Sequence, residues 1–362
     1  EALIYTVTTT GTTAGQYDIT FKDDLFANDT CTINLNNYEY APYYGSLKFH
    51  PGLATKSVKI NGGVNATGVN REVIIQPNDP NAEYRILEAS GAPNQAWIVT
   101  LTNLTIQNGK TTDADLNGHG AGLYIQGINV TLSLNNTKFD NNQATGSGGA
   151  IYIQATNNAT TTIQNATLEN NEATGSGGAV YIQATNNATT TVQNATLENN
   201  QATGSGGAVY IQATNNAITT IDKATLDNNQ AAGSGGAVYI QATNDATTTV
   251  QNTIMINNQA TENGGAVYVY ATNNATTTVQ NTTMTNNQAA KNGGAIYTNR
   301  NIIVKDASSM TSNIAQENGG GIYSTGTINI SNKVKFESNQ ATGHGGGIYS
   351  TGTINISNKV KF

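Results

Sequence analysis

Asp113-Ala-Asp115-Leu-Asn117-Gly118 sets three oxygen-bearing side chains at every second position ahead of a turn-forming glycine. That spacing is the first half of a calcium loop, where alternate oxygen ligands converge because the glycine lets the chain double back. Asp113, Asp115 and Asn117 are therefore the candidate metal ligands, and calcium is the one cofactor the sequence suggests. The twelfth position is Tyr124, where a bidentate Glu belongs, so a solvated acidic insertion accounts for the same residues. His119 follows at once, and His344 has the same glycine neighbours. A histidine offers a general base, but acid–base work on a sugar needs carboxylates converging beside it. Beyond His119 the single arginine is Arg300, far along the chain and in no matching motif. The expectation is a protein that is not an enzyme.

Composition narrows the class. Lys and Arg total 16 against 23 Asp and Glu, a net charge of −7, which leaves too little positive surface for nucleic-acid binding. No run of 18 apolar residues exists, so no transmembrane helix is expected. The lone Cys31 has no internal disulfide partner. Glycine counts 38 and Asn and Thr are abundant, residue types that favour turns and strands over helices. The chain starts at Glu1 without Met or an apolar leader, as expected of a processed chain or a fragment.

The elements that position these residues follow from an internal repeat. Gly-Gly-Ala-Val/Ile-Tyr recurs, with tyrosines at Tyr124, Tyr152, Tyr181, Tyr210, Tyr239, Tyr268, Tyr297, Tyr323 and Tyr349, in steps of 28, then 29, then 26. An apolar residue followed three positions later by Asn keeps the same register, from Phe139/Asn142 through Leu168/Asn171 to Phe336/Asn339. Helical repeats do not fit, and the Leu-x-x-Leu-x-Leu signature of leucine-rich repeats is absent. Ala150-Ile-Tyr-Ile-Gln and Thr160-Thr-Thr-Ile-Gln are short alternating runs between Asn, Gly and Ser clusters, which is strand and turn chemistry. Three such strands with their turns fill one period. The expected fold is all-β: a single-stranded right-handed parallel β-helix of 26–29 residues per coil, right-handed because parallel crossovers overwhelmingly are. Residues 1–54 are expected as an N-terminal β-rich cap and 55–362 as the solenoid, with irregular first coils over 55–118 and regular repeats over 119–362.

Stacking puts like residues over like. Asn142, Asn171, Asn200, Asn229, Asn258, Asn287, Asn313 and Asn339 then form an amide ladder satisfying backbone groups at a turn. The Gly-Gly pair permits positive φ at a sharp corner. With Ile163 inward, Thr161 points in while Thr160 and Thr162 point out; the outward array is broken once, at Ile218. A flat Thr array suggests ice binding, and strand propensity on a solvent face explains it equally well. Inward Ile151 and Ile153 turn Tyr152, Tyr181, Tyr210, Tyr239, Tyr268 and Tyr297 outward, either as an aromatic binding strip for glycan or protein or as a half-buried packing stack.

Gly148-Gly149-Ala150-Ile151 together with Phe139-Asp-Asn-Asn142 resembles the repeat of the chlamydial polymorphic outer-membrane proteins and related adhesins and autotransporter passengers. Similar repeats fill adhesin-like surface proteins of some methanogenic archaea. The resemblance covers roughly residues 55–362 and implies an extracellular, cell-surface β-helix. Most family Phe positions are Leu or Met here, and no membrane β-barrel follows in this chain. Gly118-His119-Gly120 is similar to one short motif of the polygalacturonases, which share the fold, but the one arginine that follows, Arg300, stands in no matching motif.

The expected function is a secreted, non-enzymatic adhesin or surface scaffold, with a host or cell-surface protein or glycan as partner. The alternative is a self-assembling subunit of an extracellular filament or sheath; a polysaccharide-active lyase or hydrolase fits less well. Residues 319–336 and 345–362 are identical, and Phe362 stands at the ladder's apolar position, so the last coil is expected to be truncated or to stack end to end on another copy.

Overall fold

The computed structural model describes residues 7–8, 16–20, 30–35, 47–49, 56–61, 72–77, 83, 85–90, 96–112 and 118–362, with side chains from Val58 on except Glu72. It is a parallel β-solenoid of about nine turns, without an α-helix among the described residues. In a representative coil, Ile151–Ala155 forms the first face and Ala159–Gln164 the second. Asn165 (φ 49°) bends the chain into Thr167–Glu169, and Asn170 (φ 56°) bends it again into Glu172–Ala173 on the third face. A coil thus holds four strand segments rather than three. The two segments flanking Asn165 belong to one bent sheet, since the earlier strands Trp97–Gln107 and Val130–Asp140 run through both.

Asparagine dominates these corners for a steric reason. The left-handed region crowds the Cβ of most residues, while Asn enters it at modest cost. Of the two repeat glycines, only the first takes positive φ, as at Gly206 (69°). The second is needed for close approach: a Cβ on Gly207 would lie 2.0 Å from the Gly236 carbonyl oxygen in the next coil.

Every coil pairs in parallel with the next, like on like, for example Ile151 with Val180, Tyr152 with Tyr181 and Thr161 with Thr190. Parallel pairing already joins Gln16–Thr20 to Lys56–Asn61 and Leu47–Phe49 to Leu87–Ala89, so stacking begins inside the stretch expected as a cap. Val7–Thr8 pairs antiparallel with Gln16–Thr20. The late change from 29 to 26 residues has two parts. From Tyr to the inward residue of the second face shrinks from 11 positions (Tyr268 to Val279) to 7 (Tyr297 to Val304). From there to the apolar marker grows from 5 (Val279 to Met284) to 6 (Val304 to Met310). The gained residue makes a corner of two consecutive left-handed residues, Asp306-Ala307, Asn332-Lys333 and Asn358-Lys359.

The interior is filled by alternate side chains of all three faces, among them Ile151, Ile153, Ile163, Leu168 and Ala173, each fully or almost fully buried. Two polar columns run through it. In the first, the ladder asparagines from Asn142 to Asn313 have no exposure. Asn229 Oδ1 accepts from the Asn200 backbone N–H (3.1 Å) and Asn200 Nδ2 (3.0 Å). Its Nδ2 donates to Asn258 Oδ1 (3.0 Å) and to the Leu197 carbonyl (2.9 Å). Both donors and both acceptor sites of the amide are used. Gly109 N–H donates to Asn142 Oδ1 where the ladder starts. The exposed corner ladders run the opposite way: Asn187 Nδ2 donates back to Asn158, and Asn228 Nδ2 back to Asn199.

The second column is Thr161, Thr190, Thr219, Thr248 and Thr277, buried as expected, but their hydroxyls make no hydrogen bond among the described residues. Leu132 and Ile302 occupy the same column above and below. A hydroxyl 4.8 Å or so from its copy is out of bonding reach, so the stack cannot satisfy it as it satisfies an amide.

Two substitutions separate the columns. Asn229→Ala removes hydrogen bonds to both neighbouring coils, to Asn200 and Leu197 on one side and Asn258 on the other, and should cost more than about 3 kcal/mol, since each buried unpaired group costs roughly 1–3 kcal/mol. Thr219→Val removes an unpaired hydroxyl at constant shape and should stabilise by about 1 kcal/mol. Equilibrium urea unfolding measures both, and a destabilised Thr219→Val would mean that its hydroxyl is bonded.

Candidate functional site

A continuous column of tyrosines runs along the first face. Alternation along the first face buries the residues either side of each tyrosine, such as Val180 and Ile182, and turns Tyr181 outward. Nine rings from Tyr124 to Tyr349 then stack at 4.7–5.3 Å between centroids. Planes stay within 7° of parallel down to Tyr323. Tyr152 is buried, while Tyr181, Tyr210, Tyr239, Tyr268 and Tyr297 are half-buried. Each inner ring has its two faces covered by its neighbours. The column presents edges and hydroxyls to solvent, as at Tyr239, whose Oη donates to Gln241 Oε1 (2.9 Å). A sugar seeking a ring face to stack on finds it occupied.

The top of the column is closed by a polar cluster that the repeat pattern did not reveal. The Arg85 guanidinium lies 4.6 Å from the Tyr124 centroid, a cation–π contact. Its Nη1 donates to Glu88 Oε2 (3.0 Å), and Nε and Nη2 reach the carbonyls of His119 and Gly120. Ser90 Oγ donates to Glu88 Oε1 (2.6 Å). Arg85 and Glu88 are both buried. The arginine fastens the Gly118-His119-Gly120 turn to the coil before it, a role set by three-dimensional neighbours rather than by spacing.

His119 is fully engaged there. Its Nδ1 accepts the Ser147 backbone N–H (2.8 Å), and its ring stacks on Tyr152 at 4.3 Å and 6°. Burial, and then the nearby Arg85 charge, push its pKa below the usual histidine value. His344 stands in the equivalent turn and stacks on Tyr349 at 6.2 Å. Among the described residues neither imidazole is hydrogen-bonded to a carboxylate.

Asp113, Asp115 and Asn117 lie outside the described residues. Among the described residues no three His, Cys, Asp or Glu side chains gather as a metal-binding group. On the second face Thr160, Thr189, Thr247 and Thr276 line the solvent side around an Ile218 that is 49% exposed, so the outward array and its interruption sit where alternation put them. No helix among the described residues is long and apolar enough to cross a membrane.

Seven stretches match the model of the Chlamydia polymorphic membrane protein repeat: residues 136–154, 165–183, 194–212, 223–241, 252–270, 281–299 and 333–351. Each runs from a corner Asn or its equivalent, through the apolar marker and ladder Asn, to the tyrosine strand. Neither curated proteins nor solved structures give a significant match.

The tyrosine column sets an alkaline limit. Burial pushes the phenols up, Tyr124 to about 12 and Tyr152, Tyr210, Tyr239 and Tyr268 further. A pKa raised on folding stabilises the native state below the unfolded value near 10, and that stabilisation is lost as pH climbs through the folded value. Stability by urea titration should therefore be flat to about pH 10 and fall steeply above it, in step with tyrosinate absorbance. Ionisation near 10 in the folded protein would show that the phenols are freely solvated.

Proposed function

Because seven stretches of its regular coils match the Chlamydia polymorphic membrane protein repeat, we propose that this chain is an extracellular, non-enzymatic cell-surface protein that works as an adhesin or surface scaffold. The observation that carries the reading is the in-register run of these repeats, in which one coil's surface is copied onto the next. A catalytic centre needs one unlike constellation of groups, whereas a surface for multivalent attachment needs many like ones. His119, His344 and Arg85 pack against the turn and the tyrosine column, which supports a scaffold. A host or cell-surface protein or glycan is the proposed partner, and the tyrosine column enters as a row of hydroxyls and ring edges.

The second reading, a subunit of an extracellular filament or sheath, shares the same fold and differs in assembly. Mass photometry and negative-stain microscopy of the purified chain, with attachment of chain-coated beads to cultured cells, separate the two. Single rods that carry beads onto cells are the expected result. Ordered filaments would replace the adhesin with the subunit, and rods that leave beads unbound would overturn both.

A further inference from the structure

The corner after the second face changes character along the solenoid. In the central coils it is a single left-handed residue, mostly Asn, whose amide bonds to the neighbouring coil, as Asn281 Nδ2 does to Asn252 Oδ1 (2.9 Å). In the last three coils the added residue widens it to two left-handed residues. Where the narrow and wide corners meet, the surface opens into a groove of about 770 Å³. Asn252, Asn281, Asp306, Asn332, Lys333 and Lys359 are among its lining residues. It runs along the solenoid axis over five coils, a length of about 19 Å at one inter-strand spacing per coil.

The charge changes at the same place. Residues 111–290 carry two Lys/Arg against ten Asp/Glu, whereas residues 291–362 carry seven against three. Lys333 and Lys359 occupy equivalent positions of adjacent coils at the groove, both exposed, and neither forms an ion pair among the described residues. Lys335 and Lys361 flank them in the same two coils. Asp306, the one acid in the groove, is held by Asn332 Nδ2 (2.9 Å) and lies 4.0 Å from the Lys305 ammonium. Two like charges one coil apart repel, and they stand at the added corner position, beside the amide ladder that continues through Asn332 and Asn358. A bound anion would relieve that repulsion.

We infer that this widened corner binds an acidic polysaccharide lying along the solenoid axis, its carboxylate or sulfate groups paired with Lys333 and Lys359 and its hydroxyls with the groove amides. The ligand class follows from the lining. Amides donate and accept at once, which suits hydroxyls. The groove has no aromatic ring on which bases could stack, as single-stranded nucleic acid requires. It has no apolar pocket for a peptide anchor, Ala307 being its one apolar side chain. An extended sugar chain also repeats at nearly the rise of one coil, so successive sugars meet equivalent residues. This inference rests on the surface-adhesin reading and gives it a site.

The test uses the full chain in affinity electrophoresis against oligogalacturonate, a sulfated heparin fragment, dextran and single-stranded DNA, with anionic vesicles assayed by flotation. Lys333→Asn/Lys359→Asn is the informative variant, because Asn accepts the left-handed φ of both positions (65° and 62°) and should leave the fold intact. Lys223→Asn, at a left-handed corner outside the groove (φ 52°), is the control. Retention by one or both acidic glycans, weakened about tenfold in the double variant and unchanged in the control, is the expected result; the two glycans tell carboxylate from sulfate. Equal retention by dextran, by DNA or by vesicles, or a double variant that binds as the parent does, would overturn it. Beads that still attach to cells while no acidic glycan is retained would sink this site alone; failure of both would sink the adhesin reading as well.

Discussion

Each coil must satisfy its own interior with nothing but a copy of itself above and below. This constraint selects side chains more sharply than a globular core does, because a stack of like residues satisfies a buried polar side chain through its own kind only if that group spans one inter-strand spacing. A primary amide meets the condition, since it carries two donors and an acceptor with two lone pairs. From Asn171 to Asn313 the ladder fills every one of these valences with the neighbouring amides, a backbone N–H and a carbonyl. A hydroxyl reaches too short a distance, and the buried threonine column marks where the same stacking leaves groups unpaired. Glycine is selected by the same constraint at Gly207, where the next coil leaves no room for a methyl group.

Much of this was legible because repetition turns sequence spacing into spatial contact. Two markers with one period sufficed to place the parallel register, the amide ladder and the outward threonines, and the family resemblance seen in Phe139/Asn142 and Gly148-Gly149 is borne out by the repeat matches. What periodicity does not encode is how a corner is turned. Asn165 reads as one more polar residue, yet its left-handed φ turns the chain after the expected Thr160–Gln164 run into a further segment, Thr167–Glu169, which makes four segments per coil in place of three. Aromatic stacking was ambiguous for a related reason: alternation gives the direction of Tyr181 but not the neighbour that covers its face.

The non-repeating parts were the least legible. Arg85 precedes the regular coils, and the carbonyls it holds lie 34 and 35 residues downstream, so no spacing pointed to them. The shift from 29 to 26 reads as a deletion when only the tyrosines are followed. Comparing the inward residues shows a loss of four and a gain of one. The gain matters more for the surface, because it adds a residue to an exposed corner while the core strands keep their pairing.

The opposed directions of the amide ladders bear on length. In an α-helix, aligned peptide dipoles add until charge accumulates at both ends. Here the buried ladder points its Nδ2 groups toward later coils, whereas the exposed corner ladders point theirs toward earlier ones. Their axial directions oppose one another, so the amide columns do not all add along the axis as the peptide dipoles of a helix do. Each coil brings its own rung of every ladder, so whole repeats can be gained or lost with the hydrogen bonding of the remaining coils repeated unchanged, which makes reach a property that varies in single-coil increments.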